Sequence, residues 1–236
     1  MSRAFEQLSW DETPMGVLGL RRRAEPVTGS DVYEVKLGDE YLMSSAFTVA
    51  EIELARLGLA AHAGDALDVV VGGLGLGYTA QTARQDARVR SLVVVEALPE
   101  VIAWHEQGLL PEAEGLADDA RVRLVQGDFF ALSDGAHGFD PDAPARTFDV
   151  VLLDIDHTPR HVLAESHASF YTRSGLTALR RHLADGGVFA LWSDDPPDEQ
   201  FLEVLGEVFT QARAEVITFP NPLTGGESAN TVYLAS

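Results

Sequence analysis

The chain contains no cysteine, which excludes a disulfide framework and a thiol nucleophile and leaves compartment unmarked by cysteine usage. It contains one lysine, Lys36; every other basic residue is an arginine. Schiff-base chemistry and a phosphate-loop lysine are therefore nearly excluded. No apolar run is long enough to span a bilayer, and Met1 to Glu6 lacks the apolar core of a secretory leader. The expectation is a cytoplasmic protein with no membrane partner. Positive charge is scarce as well: 17 Lys and Arg stand against 37 Asp and Glu, a formal charge of −20. A field of that sign repels DNA, RNA and anionic membranes, so no nucleic-acid partner is expected. It suits a cationic small molecule, and it also serves plain solubility.

What is present is organised around Val69-Val-Val-Gly-Gly-Leu-Gly-Leu-Gly-Tyr78. Leu67 to Val71 reads as a buried strand, and Tyr78 to Gln85 reads as a helix. Between them lies a glycine turn spaced G-x-G-x-G at Gly73, Gly75 and Gly77. Such a turn presents backbone N–H groups and a helix N-terminus to a nucleotide-like ligand. The dinucleotide fingerprint G-x-G-x-x-G fails, because Tyr78 occupies its last position. The plain alternative is a tight turn with no ligand.

At 236 residues the chain is one large domain or one domain with an appendage. Residues 1–45 read as a small β meander, with strands at Met15–Arg21, Asp31–Lys36 and Glu40–Met43. Arg21-Arg-Arg23 reads as a solvated strand end. Residues 46–236 read as the main domain. Ser45 or Thr48 can cap a helix reaching about Leu59. Strands follow at Ser91–Glu96, Arg121–Gln126, Phe148–Asp154 and Val188–Trp192. Helices are expected at Pro99–Gln107, Ser169–Leu183 and Pro197–Arg213, and Ser133–Thr147 reads as a loop without a clear helix. Ala214–Phe219 and Asn230–Leu234 read as a closing antiparallel pair joined by a Pro/Gly-rich link. Strands alternating with helices predict an α/β fold with a mostly parallel sheet covered on both faces.

Ligands of open α/β sheets bind outside the carboxyl ends of the strands. Four successive ends carry the glycine turn, Glu96, Gln126-Gly-Asp128-Phe129 and Asp154-Ile-Asp156-His157. An acid ending the second strand can accept from a ribose diol, and an Asp just past the third can accept from an adenine amino group. Each acid alone is equally at home as a cap or turn residue. In this order they read as a nucleoside pocket.

From Val69 to Ser193 the chain resembles the class I S-adenosylmethionine-binding fold, a Rossmann-like methyltransferase fold with a seven-stranded sheet. Within that fold it is most similar to the polyamine aminopropyltransferases, the spermidine synthase family. The matching pieces are Gly73-Leu-Gly-Leu-Gly77, Val94-Val-Glu96, Val125-Gln-Gly-Asp128, Phe148–Asp154, Phe170-Tyr171 and Leu183–Ala190. The resemblance implies an adenosyl site formed by Gly73, Leu74, Gly75, Gly77, Glu96, Ala97, Gly127, Asp128, Phe129 and Asp154. Glu96 would hold the ribose and Asp128 the adenine. Asp154 would orient or deprotonate an attacking amine beside the sulfonium, with positioning supplying most of the catalysis. It further implies decarboxylated S-adenosylmethionine, or S-adenosylmethionine itself, as co-substrate, with Asp156, His157 and Glu51 toward the acceptor. A small-molecule amine is the expected partner. The resemblance allows a homodimer, since family members often dimerise, but the sequence carries no dedicated interface signal and does not name the oligomeric state.

The chain also departs from that pattern. Leu76 stands where the family has an acid for the donor's amino group. The D-S-x-D-P run becomes Asp154-Ile-Asp-His-Thr-Pro159, Tyr-His-Glu is reduced to Val49-Ala-Glu51, and the N-terminal glutamine is not evident. The nucleoside half of the pattern is intact and the polyamine half is not. Three readings follow: an aminopropyltransferase-type enzyme, a small-molecule methyltransferase, and a non-catalytic adenosyl-ligand-binding protein. His157, His161 and His167 cluster, but Pro159 breaks the helix that would align the first two, and no metal site is expected. His157 is expected to contact the acceptor or to share a proton with Asp156, the plain alternative being a solvent-exposed loop histidine. Tyr41 and Trp104 are expected to pack. Asp194 or Asp195 is expected to cap the following helix.

Overall fold

The computed structural model describes residues 5–25, 29–221 and 225–236. Four antiparallel strands come first: β1 (Phe5–Thr13), β2 (Gly16–Ala24), β3 (Asp31–Leu37) and β4 (Glu40–Ser44), paired in sequence order. The first of these was not expected. It is an edge strand with a register break between Gln7 and Ser9, and it leaves Phe5 and Trp10 exposed. Its sequence therefore lacks the clean apolar alternation of a half-buried strand. Arg21 and Arg23 are not a solvated end either. Both guanidiniums bind the buried Glu34 carboxylate, at 2.6 and 2.8 Å.

Helix α1 (Val49–Ala60) follows, with Thr48 at the cap position but making no side-chain cap bond. The main domain then runs β5 (Leu67–Gly72), α2 (Tyr78–Gln85), β6 (Val89–Glu96), α3 (Pro99–Glu106), β7 (Val122–Gln126), α4 (Phe129–Asp134), β8 (Phe148–Leu153), α5 (Arg173–Arg180), β9 (Leu183–Ser193), α6 (Glu199–Val208), β10 (Ala212–Asn221) and β11 (Gly226–Ala235). The seven strands lie in the order β10-β11-β9-β8-β5-β6-β7, parallel except for β11, which is antiparallel to both its neighbours. This is the expected Rossmann-like methyltransferase architecture. The Pro/Gly-rich link between β10 and β11 lies in part outside the described residues.

Several bounds differ from the sequence reading. Helix α4 is six residues long, too short to show a helical apolar period. Helix α5 is shorter than expected at both ends: Thr172 caps it after a separate 3-10 turn at Glu165–Ser169, and Leu183 with the Asp185-Gly-Gly187 turn already belongs to β9. Asp198, rather than Asp194 or Asp195, caps α6 by accepting from the Gln200 and Phe201 amides. Trp104 is buried as expected. Tyr41 instead lies exposed under the Arg21 and Lys36 cations.

The sheet is buried on both faces, which is why β5 and β8 read as continuous apolar runs. Val69 and Val71 face one core with Leu54 and Leu59 of α1, while Val70 faces the other with Phe129 and Phe189. The first core also takes in Leu18, Leu20 and Val35 of the N-terminal sheet. The chain runs outward from β5 through β6 to β7, then returns to β8 on the opposite side of β5. That reversal opens a crevice at the carboxyl ends of β5 and β8.

Candidate active site at the strand ends

The crevice holds a cavity of about 370 Å³. The sequence-expected residues Glu51, Gly73, Leu74, Gly75, Glu96, Ala97, Gly127, Asp128, Phe129, Asp154 and His157 all line it; Gly77 and Asp156 do not.

The glycine turn owes its glycines to the protein's own packing. Gly73 has φ +93°, and a Cβ there would strike the Asp154 carbonyl oxygen. Gly75 has φ +47°, and a Cβ there would strike Met43 Sδ. Both need the left-handed freedom that glycine alone has cheaply. Met43 belongs to β4, and its sulfur also accepts the Leu76 N–H at 3.1 Å. The N-terminal sheet is thus latched onto the turn. The Leu76 side chain packs in the core at 2% exposure, so the turn offers no acid.

Glu96 ends β6 and braces the turn. Its Oε2 accepts from Leu74 N at 3.0 Å and its Oε1 from Leu98 N at 2.9 Å. Burial pushes its carboxyl pKa up, against the pull of these backbone donors. Asp128 follows β7 and caps α4, with Oδ1 accepting from Phe130 and Ala131 amides at 2.9 and 3.2 Å. Its Oδ2 has no partner among the described residues, so one oxygen holds the helix and the other remains for a ligand.

Asp154 follows β8, its N–H donating to Gly72 O at 2.8 Å. Its Oδ2 accepts from Thr79 Oγ1 at 2.7 Å. The same hydroxyl lies 3.3 Å from the Glu51 carbonyl oxygen, so Thr79 ties α1, α2 and β8 together. Burial lifts Asp154 to about 6. Burial, with the Asp154 charge next and Asp194 adding to it, lifts Glu51 to about 8. Two like charges in one recess cannot both ionise cheaply. Both carboxyls are therefore held above their ordinary values, Glu51 the more strongly.

Asp156 turns away from the cavity, against the acceptor-facing role expected of it. It is 1% exposed and accepts from Leu163 N at 2.7 Å, His167 Nδ1 at 2.8 Å and Tyr171 Oη at 2.8 Å. Three donors to one carboxylate pin the 154–171 segment. Burial and the Asp156 charge hold the Tyr171 hydroxyl far above its ordinary pKa. His157 therefore shares no proton with Asp156. It lines the cavity, with its ring 5.7 Å from that of His161. The imidazole on Asp156 is His167, which also stacks on Phe130 at 3.9 Å.

Sequence reasoning missed Thr79, Met43 and the cavity-lining roles of His167 and Trp192. Thr79 alone left a signal, as a hydroxyl in the first turn of the helix after a glycine loop. The others act through contacts remote in sequence.

No protein-family model matches the sequence, and no curated protein matches it. Solved structures do. Spermidine synthase from Thermotoga maritima superposes with a TM-score of 0.71 at 17% identity, over 98% of this chain and 72% of that one. A spermidine synthase in complex with the transition-state analogue AdoDATO gives the same figures. A probable spermidine synthase from Corynebacterium glutamicum gives 0.64 at 18% identity, over 97% and 79%. The chain has a spermidine synthase-like fold, N-terminal sheet included.

Proposed function

We propose that the protein is a transferase that moves an aminopropyl group from decarboxylated S-adenosylmethionine to an amine. The observation that carries this is the convergence of the glycine turn, Glu96, Asp128 and Asp154 on one cavity, at four strand ends, in a fold shared with a spermidine synthase that holds the transition-state analogue AdoDATO. The residues fit such a ligand: Asp128 has an uncommitted oxygen at the rim, and Glu96 lies in a recess whose amides already fix its orientation. When bound, the sulfonium supplies an activated carbon and a thioether leaving group. The amine nitrogen forms the new C–N bond, the C–S bond breaks with its pair going to sulfur, and the amine proton passes to Asp154. Burial raises the Asp154 carboxyl to about 6, which makes it a stronger base for that proton than an ordinary aspartate.

The packing of Leu76 supports a second reading, methyl transfer from intact S-adenosylmethionine, since the turn has no acid for the donor's amino group. Product analysis separates the two: aminopropyl transfer releases methylthioadenosine, and methyl transfer releases S-adenosylhomocysteine. Asp154→Asn should abolish either product while leaving methylthioadenosine affinity within a few fold. An active variant would remove Asp154 from the chemistry. Binding with no turnover of either donor would leave a non-catalytic adenosyl-binding protein.

A further inference from the structure

The cavity has two chemically distinct sides. Its lining carboxylates are Glu51, Glu96, Asp128 and Asp154, all from the main domain. Glu96 and Asp128 belong to the nucleoside half of the proposed site. Among the carboxylates of the described residues that line the cavity, only Glu51 and Asp154 remain for an acceptor. Asp194 is close enough to raise Glu51, but it lies at the same end, bound by Asn230 Nδ2 at 2.6 Å.

The wall contributed by the N-terminal sheet is different. Met15, Leu18, Val35, Leu37, Leu42 and Met43 form it, without a carboxylate among them. Glu34, the buried acid of that sheet, is neutralised by Arg21 and Arg23 and does not line the cavity. A cation placed on this wall would be desolvated without a counter-charge, whereas an apolar chain would gain by leaving water.

We infer that the acceptor is a monoamine with an alkyl or aryl body, its amine beside Asp154 and Glu51 and its apolar part along the N-terminal sheet, rather than a diamine or polyamine. This rests on the transferase reading for the identity of the reacting end. The distribution of charge in the cavity carries the rest.

The test is calorimetric titration of the full-length protein with hexylamine and 1,4-diaminobutane, alongside a separate titration with methylthioadenosine. Hexylamine should bind at least about tenfold more tightly than the diamine, as several buried methylenes would give. Leu37→Asp, at the end of β3, should reverse the order, and Leu42→Glu is a second variant if the first fails to fold. Equal or tighter binding of the diamine to the native protein, or binding of neither amine, overturns the inference. The adenosyl titration keeps the two ideas apart. If methylthioadenosine binds and the diamine wins, the acceptor inference falls and the transferase reading stands. If hexylamine wins and methylthioadenosine does not bind, the transferase reading falls and the apolar amine site stands.

Discussion

Replacing Glu51 by Gln should change how stability depends on pH. Glu51 is 9% exposed, and its carboxyl is lifted from an ordinary 4.5 to about 8, first by burial and then by the Asp154 charge. Between those values the folded state keeps a proton that the unfolded chain has released, so this group makes stability fall as pH rises. Below about 4.5 both states are protonated and nothing is lost. Above about 8 both are ionised and the loss is complete. At about 1.4 kcal/mol per pKa unit the ceiling is about 5 kcal/mol. Water entering the cavity relaxes part of that, leaving about 2–4 kcal/mol. Gln cannot ionise and escapes the penalty. Urea unfolding followed by circular dichroism, on both proteins at pH 5, 7 and 9, reads the difference directly. The variant should gain about 2–4 kcal/mol on the native protein between pH 5 and pH 9. Parallel curves would refute the raised Glu51 carboxyl.

Three further outcomes are expected. Asp128→Ala removes the cap of α4, costing about 1 kcal/mol in denaturant unfolding, and should weaken methylthioadenosine binding by a further 1–3 kcal/mol or so; unchanged affinity would remove Asp128 from the pocket. Gly73→Ala forces a left-handed backbone at +93° and a Cβ into the Asp154 carbonyl, and should cost roughly 2–4 kcal/mol, read as a lowered unfolding midpoint. Tyr171→Phe keeps the ring but leaves the buried Asp156 short of a donor, and should cost about 1–3 kcal/mol. A neutral result in unfolding would mean that the hydroxyl contributes nothing to the segment.

Where local chemistry fixes the backbone, the sequence is readable. The uninterrupted valines of β5 and the glycines after them place strand, turn and helix, and α2 begins and ends at the expected residues, Tyr78 and Gln85. Pro99 places α3 equally well, because it is suited only to a first helical turn. Short or edge elements are not readable in this way. Phe-Phe-Ala-Leu-Ser-Asp is helical through the Asp128 cap and its packing against the sheet, and β1 through its pairing with β2. Glu96, Asp128 and Asp154 were legible because they sit at strand ends. The placement of Asp156 was not, since nothing within a few residues of it reveals that His167, Tyr171 and the Leu163 amide will occupy its oxygens. Nor does any local pattern announce that Met43 reaches the glycine turn.

The N-terminal sheet shares its core with residues as late as Val232 and Leu234, which sets the timing of its maturation during synthesis. By residue 44 all four of its strands have been made, yet Leu18, Leu20 and Val35 have nothing to bury against. A piece of that size cannot form a sufficient core of its own. At about 5–20 residues per second, the ribosome needs roughly 10–40 s more to deliver β11. Until α1 and the other elements of that core have emerged, the meander's apolar face is open to other chains. Nascent-chain solubility, rather than the stability of the finished fold, is therefore the property most exposed to substitutions in the first strands.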